Sequence, residues 1–311
     1  MAGDTRLNNS LKDQCIDIAS LAVQAMLYEA ACYPSPGLVS RGSSGAHRDM
    51  DYFTFLDSAT TLINPLIHCA EAGFAPSTPR EIFNQIRQIG QSGEQQMLHK
   101  TSGVNTHKGM FFLLGVCCAA GGIALCSGVH FSSLQSIIKE MTSGLVEREL
   151  SSRYIELKNA DEFSLTHGES LFLHHKVEGI RGEVQRGLPT VFEFSLGFYK
   201  ANQGLSKSDR LVQTLLAIMQ SCKDSNILYR HGFETLREVQ GRAKQIISIG
   251  GVKTLQGMSA IEEMDRDFSI RKISPGGSAD LLGVTVFLEL LEEYMEGMGR
   301  GREGTVPSCT K

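Results

Sequence analysis

Three side chains able to hold a metal or move a proton stand at alternate positions in residues 33–51, YPSPGLVSRGSSGAHRDMD: His47, Asp49 and Asp51. If the chain is extended there, all three leave the same face. An imidazole converging with two carboxylates suits a magnesium or nucleotide site. The same residues also fit an Asx-type turn, with Asp51 as a helix N-cap and Thr54 three residues on. Two prolines and three glycines constrain the path of the segment, which lies between two helical patterns.

A second group lies in residues 101–109, TSGVNTHKG, directly ahead of an uncharged apolar run. The free amides and dipole of a helix start favour anions, and a lysine beside them favours phosphate. His107 and Lys108 are therefore candidate phosphate ligands; the alternative is a capped helix with both side chains in solvent. No G-x-x-x-x-G-K-[ST] loop occurs. Glu29 falls four after Ala25 and three after Met26, so it continues an apolar face and is a candidate for site chemistry or a frayed end. Asp280 follows Pro275-Gly276-Gly277 and Ser278, an expected N-cap, in the first turn of an apolar helix. A dipole partner explains it well, and a substrate-facing carboxylate fits too. Thr166-His167-Gly168 reads as a cap, and Arg181 with Glu183 as a surface pair contributing little.

The elements that must position these residues read as helices. Cys15, Ile18, Ala19, Ala22, Ala25 and Met26 recur at three- and four-residue spacing. Helices are predicted over residues 53–72, with Pro65 kinking or splitting the run, and over 80–100, with Glu94 facing inward or outward. The 17 residues 110–126 carry no charge, and a fully buried central helix is expected there rather than a membrane span. Two short helices are expected between 130 and 157, then helical stretches over 165–175, 178–187, 189–200, 205–223 and 234–249. A last helix follows the 275–278 turn, with a loose tail from about 296. No long alternating run, repeat or low-complexity linker appears. The fold class expected is all-α, one compact multi-helix domain.

At 311 residues, 41% apolar and 21% charged, the chain can bury a sizeable core. A net charge of −4 without a basic cluster argues against nucleic acid as a partner. The eight cysteines form no C-x-x-C pair, and the polar opening MAGDTRLNNSLKDQ has no apolar h-region. A cytoplasmic protein with free thiols is the economical expectation.

Several blocks occur in fixed order: PSPGLVSRGSSGAHRDMDYFTF, GVNTHKG, THG, RGE at 181–183, DSNILYRHG and ISPGGSADLL. Together they resemble the triphosphoribosyl-dephospho-coenzyme A synthases, which serve citrate lyase and, in a related branch, malonate decarboxylase. The resemblance spans nearly the whole chain. It departs at Ser35 and Ser40, where the family usually has lysine and aspartate in PKPGLVD, and at His231, where many relatives read R-G-G.

The resemblance implies an all-helical transferase whose substrates are ATP and 3′-dephospho-CoA. Its product would be 2′-(5″-triphosphoribosyl)-3′-dephospho-CoA with adenine released, passed on to an acyl-carrier-protein transferase. An α linkage in the product implies one inverting displacement. On that reading Asp49 and Asp51 serve magnesium or act as base, with Glu29 a further catalytic candidate. His107, Lys108, Arg181 and Arg230 would hold triphosphate, Asp280 a ribose hydroxyl or the metal, and His47 would orient Asp49. Arg41 or Arg48 could offset the missing lysine. Alternatives are a nucleotide N-glycohydrolase or a non-catalytic nucleotide-binding relative; a homodimer is compatible with either.

Overall fold

The computed structural model describes residues 2–159 and 165–303. Its first helix, α1 (Ala2–Ala30), is followed by the 33–51 loop, then α2 (Tyr52–Thr61), α3 (Ile63–Gly73) and α4 (Pro79–Lys100). The predicted 53–72 helix is split at Leu62, so Pro65 falls in the first turn of α3, where its missing N–H leaves no bond unmade. Thr78 and Glu81 close a capping box at the start of α4. Among the described residues the only β feature is one isolated bridge, Ser40 with Ser43.

The apolar run forms α5 (Lys108–Ser127), packed by α1, α3 and α4, by α6 (Leu134–Met141), and by the last helix, α14 (Gly276–Glu303). This helix alone among the described residues is long and apolar enough to cross a membrane, but most of it is buried inside the protein. Its glycines allow close approach. A Cβ on Gly122 would overlap the carbonyl of Ala70, and one on Gly73 the carbonyl of Ala119, so α3 and α5 meet backbone to backbone.

The smaller elements are α7 (Tyr154–Asn159), α8 (His167–His175), α9 (Gly179–Gln185), α10 (Leu196–Ala201), α11 (Lys207–Met219) and α12 (Ser225–Ser248). In α12 the chain breaks from helical geometry at Gly232, with φ of 79°. A helix beyond those expected, α13 (Leu255–Arg271), is capped by Thr254. It matters for the site because Asp265 accepts the Gly37 amide at 3.0 Å and ties down the 33–51 loop.

Two expectations at the C-terminal end change. Ser278 is not an N-cap but lies inside α14, where its amide (2.8 Å) and hydroxyl (3.0 Å) both donate to Asp224 Oδ2. In place of a loose tail from Glu296, the helix runs on to Glu303. Residues 304–311, with Cys309, lie outside the described residues.

Candidate active site

The polar turns converge on one cavity of about 710 Å³, within the range usual for small-molecule sites. Glu29, Asp49, His107, Lys108, Arg181, Arg230 and Asp280 all line it. They come from the end of α1, the 33–51 loop, the start of α5, α9, α12 and the start of α14.

Asp51 does not join them. It is the N-cap of α2: its Oδ1 accepts the Thr54 amide at 2.9 Å and the Thr54 hydroxyl at 2.8 Å, out in solvent. Those hydrogen bonds hold its carboxyl below the ordinary range. The backbone bends after His47 instead of staying extended, so the three side chains do not share a face. Asp51 therefore does not line the cavity with Asp49, and among the described residues no group of three or more His, Cys, Asp or Glu is arranged to hold a metal ion. We expect Asp51→Asn, which keeps the cap, to turn over within about twofold of the wild-type rate. Asp51→Ala should lower Tm while retaining activity; loss of turnover in Asp51→Asn would return the residue to the site.

Asp49 lines the cavity, and its Oδ1 lies 3.8 Å from His47 Nδ1. His47 is fixed on its other side by Ser274 Oγ at 3.0 Å from Nε2. Burial, then the Arg230 charge, press the His47 pKa down, while Asp49 opposes them. Ser35 and Ser40 are buried, and neither they nor Arg41 and Arg48 line the cavity. Ser35 and Ser40, two of the departures from the resembled pattern, thus lie outside the cavity lining.

At the cavity floor stand two carboxyls, Glu29 buried and Asp280 half-buried. Glu29 is 4% exposed, and burial pushes its pKa up to about 8. Asp280 is raised well above the carboxylate range, first by burial and then by Glu29 and Asp224, although the Met110 amide favours its ionised form. Gly109 makes the Asp280 position available, since a Cβ there would overlap Asp280 Oδ2. Asp224 holds the start of α14 from below by capping α12 through the Asn226 (3.0 Å) and Ile227 (3.3 Å) amides while accepting both groups of Ser278. A Cβ on Gly276 would likewise overlap Asn226, which also lines the cavity. The two glycines before Ser278 therefore permit close packing rather than a flexible turn.

His107 departs from expectation. It is 1% exposed, and burial drives its pKa down to about 3, so it is neutral and carries no charge for a triphosphate. The cations are elsewhere. Lys108 pairs with Glu94 at the cavity wall. Arg181 pairs not with Glu183 but with Glu149, its Nε 2.7 Å from Oε2. Glu149 Oε1 accepts Arg87 Nη2 at 2.8 Å, so one carboxylate holds two guanidinium groups at the rim. Glu183 instead accepts the Thr190 amide at 2.8 Å. Arg230 is exposed, and His167, stacked on Tyr229 with centroids 3.8 Å apart, lies within the fields of Arg230 and Lys108.

Sequence reasoning missed Arg87, Glu149 and Asn226 and read His167 only as part of a cap. Arg87 had a signal: with Phe83, Gly90 and Glu94 it recurs at three- and four-residue spacing on one face of α4. Glu149 had none, lying in a polar run that folds into a wide turn over Glu147–Ser151.

An all-helical protein with four cationic side chains and two carboxyls of raised pKa around one cavity is built to handle a polyanionic substrate by proton transfer. The chain belongs to the CitG family, described as ATP:dephospho-CoA triphosphoribosyl transferase, whose pattern matches residues 15–298. Membership makes it an enzyme of the transferase class. It is 38% identical over 282 residues to a Lactiplantibacillus plantarum protein named "Probable 2-(5''-triphosphoribosyl)-3'-dephosphocoenzyme-A synthase", covering 89% of this chain and 98% of that one. A Malonomonas rubra protein of the same name is 35% identical over 282 residues, covering 89% and 88%. "Protein CitXG" of Leuconostoc mesenteroides subsp. cremoris is 34% identical over 279 residues, which cover 88% of this chain and 59% of that protein. No solved structure matches the chain.

Proposed function

We propose that this cavity binds ATP and 3′-dephospho-CoA together and moves the 5-triphosphoribosyl group from adenine to the 2′-hydroxyl of dephospho-CoA. The observation that carries this reading is the meeting, in one cavity, of Arg87, Lys108, Arg181 and Arg230 with Glu29 and Asp280, two carboxyls whose pKa is raised. In the transfer the C1′–N9 bond of ATP breaks with its electron pair on the base, and the 2′-oxygen bonds to that carbon from the opposite face. Asp49, steadied by His47, takes the 2′-hydroxyl proton, and Glu29 gives its proton to the departing base. Charge building on the ribose is met by the carboxylate left behind. Asp280 contacts a ribose hydroxyl.

Lys108, Arg181 and Arg230 hold the phosphates, joined by Arg87. Magnesium commonly binds through one or two carboxylates together with substrate phosphates, and Asp49 would be the cavity carboxylate for that share where it does not act as the base. It would supply charge neutralisation at the triphosphate.

The product would go to a transferase loading the acyl carrier of citrate lyase or malonate decarboxylase. The described cysteines are free thiols, which favours a cytoplasmic setting. A homodimer is proposed as well, and light scattering tests it.

The deciding experiment is a mass spectrum of the product formed from ATP and dephospho-CoA, with adenine followed in parallel. Transfer gives the triphosphoribosyl adduct and adenine in equal amounts; adenine released equally well without dephospho-CoA would mark hydrolysis instead. Lys108→Ala should raise KM for ATP about tenfold with kcat nearly unchanged, because it removes phosphate binding present before and during reaction. An unchanged KM would make the lysine a partner of Glu94 only.

A further inference from the structure

The expectation that His107 grips triphosphate fails on its charge, yet the residue is aimed into the cavity with nothing to bond. Its Nε2 is buried and has no partner. The proton on that nitrogen can be assigned. Ser58 Oγ accepts the Thr106 hydroxyl at 2.7 Å and lies 2.8 Å from His107 Nδ1, and we assign the Ser58 proton to that nitrogen. The ring proton therefore sits on Nε2, as a neutral donor facing the cavity. The Phe55 ring, edge-on with its centroid 4.7 Å away, holds the imidazole in place.

Glu29 repeats the pattern. Its Oε2 is also buried without a partner at the cavity floor. The same cavity has apolar lining: Phe83, Ile86, Phe111 and Val116 are each at most 5% exposed. On the same wall Gly90, in mid-helix, has no atom within 4 Å of where a Cβ would stand, so its side of α4 opens onto unfilled space. A neutral donor and a carboxyl lining one cavity with apolar residues suit a heteroaromatic ring whose edge presents acceptors. It does not suit a phosphate, which calls for cations.

We infer that this apolar limb is the base site, where the adenine ring of ATP lies with its ring nitrogens accepting from His107 Nε2–H and from the Glu29 carboxyl. This rests on the reading of ATP as the donor substrate. When the C1′–N9 bond breaks, its electron pair passes into the purine. The Glu29 proton moves to a ring nitrogen, and the His107 N–H stays in place as a hydrogen bond to the leaving base. Glu29 ends as a carboxylate and adenine leaves neutral. Burial keeps His107 uncharged throughout, so it can donate without competing for the proton.

Calorimetric titration of the full-length enzyme with free adenine tests the assignment. His107→Asn, which keeps a polar group toward Ser58 and withdraws the donor, should weaken adenine at least tenfold and leave the Kd for dephospho-CoA within twofold. A variant that binds adenine as wild type does overturns the inference. The wild-type enzyme offers a test independent of any variant's folding, using 1-deaza-, 3-deaza- and 7-deazaadenine. At least one should bind tenfold or more weakly than adenine, and equal binding of all three overturns the site. Competition between pantetheine and adenine would also overturn it, by giving the limb to the other substrate. Failure of the functional reading itself is separately visible, as absence of the triphosphoribosyl product from wild-type enzyme with both substrates.

Discussion

Glu29→Gln is expected to lower kcat for adenine release by about 10²- to 10⁴-fold, the usual contribution of a positioned general acid. Glutamine keeps the shape and a donor N–H but has no proton to give, so KM for either substrate should move little. The pH profile gives an independent reading. A donor works only while protonated, so with the Glu29 pKa raised to about 8 the wild-type rate should fall as pH climbs through that value. That limb should be missing from the residual activity of the variant.

Stability should respond in the opposite sense to catalysis. Glu29 releases its proton near 4.5 when the chain is unfolded and near 8 when folded, so between those values the folded protein binds more protons. Its stability therefore declines as pH rises across that window, and the loss persists above it. A glutamine in its place has no such titration. Urea midpoints should show the variant gaining on wild type between about pH 5 and pH 8.5, even as activity collapses. A variant that is less stable at every pH and loses activity in proportion would make Glu29 a packing residue.

Gly109→Ala is the second large effect expected, about 10²-fold in kcat/KM. The added methyl would overlap Asp280 Oδ2, and the start of α5 is too closely packed against α14 to yield. The carboxyl must leave the cavity floor, and displacements of that size are costly in a preorganised site. Overpacking should cost about 1–3 kcal/mol of stability, partly offset by the better helix propensity of alanine. A double-mutant cycle isolates the cause. If Gly109→Ala acts by moving Asp280, then adding it to Asp280→Ala should cost almost nothing more. Losses that add independently would show that the glycine serves the helix start for some other reason.

These effects lie at residues whose importance was only partly legible. The position of Glu29 on the inward face of α1 follows from its spacing after Ala25 and Met26, and it is indeed buried. Its raised pKa comes from residues far away in the chain that exclude water, which no local pattern contains. Asp51 shows the converse. Its cap is a local matter of Asp51 and Thr54, and both readings were present in the same few residues. Only the fold, by capping α2 with Asp51 and leaving Asp49 in the cavity lining, selected between them. His107 was placed correctly at a helix start and given the wrong chemistry, because an exposed histidine beside a lysine and a buried one differ in what packs above them. The α13 helix had a readable period in Met258, Ile261, Met264 and Phe268, but its use in holding Gly37 through Asp265 did not.

Local periodicity and the ordered motifs by themselves determined that this chain is helical, that α5 is central, and which family it resembles, because each depends on neighbours within a few turns. Tertiary packing alone decided which carboxyls have a raised pKa, which histidine a lowered one, and that Glu149 ties Arg87 to Arg181. Charge state and hydrogen-bond partnership are set by water exclusion and by contacts between distant segments, and both arise only once the helices have closed around the cavity.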